Sequence, residues 1–166
     1  MPEAPARSPF LPIYLNDHLA GSVVGVQLAR RARASNEGTE LGRVLAELCA
    51  EIEADQATLR RLMERLGVAE SKVKPAGAWL GERLGRLKLN GQLRGYSPLS
   101  RVVELEGLCG GIAGKRQLWE AMERTFGARL SGFDFRALAE RAAAQLARLE
   151  ARRLDAAGEA FAAAPR

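Results

Sequence analysis

The chain has 166 residues, of which 47% are hydrophobic and 27% charged, and its formal net charge is +5. That length holds one domain with a substantial core, and the composition is too apolar for a disordered chain. Aromatics reach only 5% while Ala, Leu, Arg and Glu abound, a mixture that suits helices and starves strands.

The first twelve residues carry Pro2, Pro5, Pro9 and Pro12 and read as a flexible tail. They do not form the charged region and apolar run of a secretory signal. No stretch approaches the roughly 18 apolar residues of a membrane-spanning helix, so the expected location is cytoplasmic. Helix one is expected from about Pro12 to Ala34, because Leu15, Leu19, Ser22, Val26 and Ala29 follow the alternating four-three spacing of one buried stripe. Gly21 and Gly25 lie four apart and predict a close backbone approach to a neighbouring helix.

After a break at 35–38, Thr39 is a candidate N-cap for helix two, expected over 39–66. Leu41, Leu45, Leu48, Ile52, Asp55, Leu59, Leu62 and Leu66 form its seam, and Gly67 is placed to end it. Residues 67–97 interrupt the rhythm with recurring Gly, Pro and Asn. Within them Ala78–Leu89 reads as a short basic amphipathic helix bearing Trp79, Leu80, Leu84 and Leu87. Lys72, Lys74, Arg83, Arg86, Lys88 and Arg94 form a basic patch there, opposed only by Glu70 and Glu82.

Ser97-Pro98 is a helix-start signal. Helix three is expected over 98–126 on Val102, Leu105, Leu108, Ile112, Lys115, Trp119, Met122 and Phe126. A second short loop, 127–132, leads to helix four over about 133–160, through Phe135, Leu138, Ala142, Gln145 and Leu149; residues 161–166 are a tail. Short loops make two antiparallel hairpins, and a connection of about 30 residues joins them. The expected fold is therefore an all-α four-helix bundle with one long crossover containing a short helix.

On those helix lengths, loop order and stripes, residues 13–160 resemble the ferritin-like superfamily. The segments 14–21 and 104–115 also look like those of an uncharacterised bacterial family of similar length. The superfamily's di-iron site takes a Glu from each of two helices and a Glu-x-x-His from each of the other two. This chain has one histidine, His18, and Glu53-Ala-Asp-Gln56 places Gln where His belongs. The resemblance therefore implies the scaffold without that ligand set, and no cofactor is expected.

Other chemistry fails on spacing. Gly110–Lys115 lies within a helical pattern with no strand before it, so it is not a phosphate-binding loop. Cys49 and Cys109 lack a CxxC partner and read as buried free thiols. What remains is Asp55, Lys115 and Gln145, three polar side chains near the middle of three apolar seams. They either share one interior layer or turn outward to water, and the sequence leaves both open.

Three functional classes follow. The leading one is a non-enzymatic bundle that acts through a protein partner or through self-association; the Ala-rich surface of helix four suits a homodimer. The second is an atypical metal-binding protein with Glu51, Asp55, Glu104 and Glu106 as carboxylate ligands. The third binds nucleic acid, another anionic polymer or a lipid surface through the basic crossover, although no aromatic interleaving accompanies the charge.

Overall fold

The computed structural model describes residues 8–71 and 96–162. The basic patch and the short helix expected over 78–89 lie outside the described residues. The described chain forms four helices: α1 Phe10–Ser35, α2 Glu40–Leu66, α3 Pro98–Phe126 and α4 Phe135–Phe161. No strand occurs among the described residues, and the helices pack as a bundle.

Helix ends follow local chemistry. Thr39 caps α2, its hydroxyl accepting from the Gly42 N–H at 3.0 Å and donating to the Asn36 carbonyl at 2.7 Å. Gly67 closes α2 in the left-handed conformation, φ 63°, and returns hydrogen bonds from Gly67 and Val68 to Glu64 and Met63. Ser97 caps α3 ahead of Pro98. Asp134 caps α4, so that helix begins at Phe135 and not at 133. At the other extreme α1 begins at Phe10, which puts Pro12 inside its first turn. A proline there removes only an N–H that has no intrahelical partner, so it does not delay the helix.

Cross-helix contacts fix the directions. Arg30 meets Glu53, and Gln56 donates to Ser22, so α1 and α2 are antiparallel. Arg101 meets Glu159 and Lys115 meets Gln145, so α3 and α4 are antiparallel. Arg31 meets Glu104 and Asn36 meets Tyr96, so α1 and α3 are antiparallel as well. It follows that α2 and α3 run in the same direction, on opposite corners of the bundle. The core between them is made of leucines from both hairpins, among them Leu15, Leu45, Leu62 and Leu105. Trp119 stacks against Phe135 at one end, with ring centroids 6.3 Å apart.

The glycines correct one expectation. Among the described residues no neighbouring helix approaches Gly21 or Gly25 closely: a Cβ added at either meets no described atom within 4 Å. Tight contact falls at Gly107, where a Cβ would lie 3.0 Å from the Leu28 side chain, and at Gly42, where it would lie 2.1 Å from the Asn36 carbonyl oxygen. Gly42 lets α2 start directly against the turn that ends α1. Gly42→Ala is therefore expected to cost about 1–3 kcal/mol, because backbone must move. Gly158→Ala, at an exposed helical position open on all sides, is expected to gain up to about 1 kcal/mol. Urea unfolding midpoints of the two variants should move in opposite directions.

Candidate functional site

Asp55 lies halfway along α2 and its side chain is 3% exposed. A carboxylate removed from water needs donors, and three side chains supply them. The Lys115 ammonium donates to Oδ2 at 2.5 Å and Gln145 Nε2 donates to the same oxygen at 3.2 Å. Arg141 Nη2 donates to Oδ1. Lys115 also donates to Gln145 Oε1. The amide of Gln145 thus accepts from the ammonium and donates to the carboxylate, which closes a triangle. Gln145 is fully buried and Lys115 is 15% exposed.

The structure therefore brings Asp55, Lys115 and Gln145 into one interior layer. Geometry explains the residue types. Helices α2 and α3 are diagonal, so only a long side chain reaches from one to the other, and lysine has that length. Burial pushes the Lys115 ammonium below the usual lysine range, and the facing Asp55 carboxylate pulls it back up. Sequence reasoning missed Arg141. Its signal was its position four residues before Gln145, which puts both on one face of α4. Its side chain is 41% exposed and closes the layer from the solvent side.

A second polar cluster sits where α1 ends and α3 begins. Glu104 is fully buried on α3; the Tyr96 hydroxyl donates to its Oε2 at 2.8 Å, and Arg31 Nε approaches Oε1 at 2.8 Å. Asn36 donates to Tyr96 Oη at 3.1 Å and to the Ala32 carbonyl at 2.8 Å. Burial raises the Glu104 carboxyl above the usual range, against the Tyr96 hydrogen bond and the Arg31 charge, which lower it. Burial is also the main cause that raises the Tyr96 hydroxyl to about 12.

The four carboxylates Glu51, Asp55, Glu104 and Glu106 do not converge. Glu51 pairs with Arg148 at 2.6 Å, Glu104 with Arg31, and Glu106 lies 3.9 Å from Arg153. Among the described residues no three His, Cys, Asp or Glu side chains come together as metal ligands. The middle layer itself does not fit a metal. An ion there would face one carboxylate and one amide, but also an ammonium and a guanidinium, which repel cations and have no lone pair to give.

The thiols are equally unsuited to nucleophilic work. Cys49 and Cys109 are buried and free. Burial is the largest cause that raises both, and Cys109, hydrogen-bonded to Glu150, reaches about 12. His18 lies edge-on to Tyr14, ring centroids 4.6 Å apart, and burial lowers its pKa.

The polar layer forms part of the wall of a cavity of about 700 Å³ between α1, α2 and α3. His18, Ile52 and Trp119 line it, together with glycines of α1 and α3. Trp119 is 1% exposed, and its Nε1–H has no hydrogen-bond partner among the described residues. Comparison of the chain with protein-family models, with curated proteins and with solved structures gives no match. Among the described residues no helix is long and apolar enough to cross a membrane.

Glu104 gives a pH test. A carboxyl raised in the folded state binds more protons there than in the unfolded chain. Its stabilising contribution is thus complete below the unfolded pKa, and is lost as pH rises through the folded value. Glu104→Gln keeps the shape of the protonated form without that loss. Thermal melts across pH 4–8 should show the variant gaining on the wild type as pH rises.

Proposed function

We propose that this protein is a non-enzymatic, ferritin-like bundle whose long crossover joins the parallel helices α2 and α3, and that it acts through protein–protein interaction or self-association. The observation that carries this reading is the Lys115 ammonium bound to Asp55 in the middle of the bundle. In a ferritin-like scaffold the middle layer is where inward carboxylates hold metal. Here a fixed internal cation meets the carboxylate, so the Asp55 charge is matched from within the protein and needs no bound ion.

The up-down-down-up order of the helices supports the scaffold half of the reading. The binding half rests on what is left once the Asp55 charge is matched. The thiols are raised in pKa, the carboxylates are dispersed, and the remaining feature of note is a cavity between helices.

Elemental analysis of protein purified without chelator tests the proposal. Iron and manganese well below one atom per chain are expected, before and after incubation with either metal. One or two atoms per chain, lost on Asp55→Asn, would replace it with the atypical metal-binding reading.

A further inference from the structure

One stripe on the outside of α4 carries no charge over its last five turns. Ala144, Ala147, Ala151, Leu154, Gly158 and Phe161 follow an alternating three-four spacing, and all six are exposed. Leu154 and Phe161 are 57% and 67% exposed, among the largest apolar groups left in water by the described residues. The buried residues of α4, such as Ala142, Gln145 and Leu149, occupy the opposite side of the helix. The stripe also lies on the corner of the bundle diagonal to α1. Ser71 and Tyr96, which bound the two described parts of the chain on either side of the crossover, are both held to α1 through Asn16 and Asn36.

The face is complementary to itself in reverse. Consider a second copy laid antiparallel about a two-fold axis that crosses α4 between residues 152 and 153. Ala151 then faces the partner's Leu154, and Ala144 faces the partner's Phe161. Each large side chain meets a small one, and Ala147 against the partner's Gly158 lets the two helices approach closely. The charges beside the stripe obey the same register. Arg148 and Asp155 follow Ala147 and Leu154 by one residue, on one edge of the stripe. In an antiparallel pair that edge meets itself, so Arg148 faces the partner's Asp155 and Asp155 faces the partner's Arg148. Both side chains reach water: Arg148 while it holds Glu51, and Asp155 with only a loose pair to Arg152 at 3.8 Å. On the other edge Glu150 meets the partner's Ala157, so no like charges are opposed. Glu140, which would continue the stripe, falls beyond the end of the partner's α4.

We infer that two copies of this chain associate through an antiparallel pairing of their α4 helices in this register. A partner with an unrelated sequence would have to supply both the size pattern and the charge pattern, whereas a second copy supplies both. The contact runs from residue 144 to 161, about 27 Å at 1.5 Å per residue. One helix pair of that length is at the small end of specific interfaces, so the dimer comes apart on dilution. The inference rests on the self-association reading above and adds its face, direction and register.

Sedimentation velocity of the full chain, from micromolar to near-millimolar concentration, tests it. The dimer fraction should rise with concentration. Leu154→Lys sets two ammonium groups near the axis, and Asp155→Arg opposes arginine to arginine at both ends of it. Each should raise the dimer Kd by about tenfold or more. Arg148→Asp combined with Asp155→Arg rebuilds both pairs with the signs exchanged and should recover most of that loss. Leu154→Lys and Asp155→Arg alter exposed positions only, so they decide the question even if the double variant does not fold. A chain that stays monomeric throughout, or a dimer whose Kd neither single variant moves, would overturn the inference. A folded double variant no better than Asp155→Arg alone would overturn the register. Monomeric protein free of metal would leave the non-enzymatic reading standing with a different protein as partner, so the two proposals can fail separately.

Discussion

A carboxylate in the middle of a leucine seam is the constraint around which this bundle is arranged. Asp55 is almost completely removed from water, and an ionised carboxylate in that position is tolerable only with charge and hydrogen bonds brought to it. Lys115 comes from the diagonal helix, Gln145 and Arg141 from the adjacent one. The layer therefore ties α2 to α3 and α4 at one height. Sliding any of these helices by a turn would separate the ammonium from the carboxylate. Leucine packing alone would tolerate such slips far better, since its contacts are non-directional. The charged layer fixes register, and the apolar stripes supply most of the burial.

The bundle treats its second buried carboxylate differently. Glu104 meets a phenol and a partly exposed guanidinium in place of an enclosed ammonium, and its pKa is raised. Through Tyr96 and Asn36 it also ties the start of α3 to the end of α1. One cluster sets helix register at the middle and the other joins the two hairpins at an end. Most of the remaining ion pairs are surface contacts of Arg with Glu, such as Arg148 with Glu47 and Arg30 with Glu53. Exposed pairs of this kind contribute little individually.

Much of this was legible in the sequence because it is local or periodic. The leucine stripe of α2, the Thr39 and Ser97 caps and the Gly67 stop each depend on residues within a turn or two. The seam positions of Asp55, Lys115 and Gln145 put three polar groups on inward faces, although periodicity could not say whether they met. Arg141 was missed because it lies beside the seam and not on it; its role depends on how α4 faces α2. The glycines were misread for a related reason. A glycine pair four apart signals missing side-chain volume, but only the neighbouring helices decide whether backbone or a cavity takes up that volume. The start of α1 was placed two residues late because the recurring prolines of the first twelve residues were read as a tail, whereas the first turn of a helix tolerates Pro12.

A double-mutant cycle on Asp55 and Lys115, followed by urea unfolding at pH 7, tests the central claim most directly. Asp55→Leu strands the enclosed ammonium and should cost roughly 3–5 kcal/mol. Lys115→Met should cost less, because Asp55 keeps Arg141 and Gln145 as donors. The double variant, an apolar pair of similar volume, should be more stable than Asp55→Leu alone. Small, additive losses, with the double variant no better than Asp55→Leu, would mean that the two charges do not depend on each other and that the layer does not hold the bundle in register.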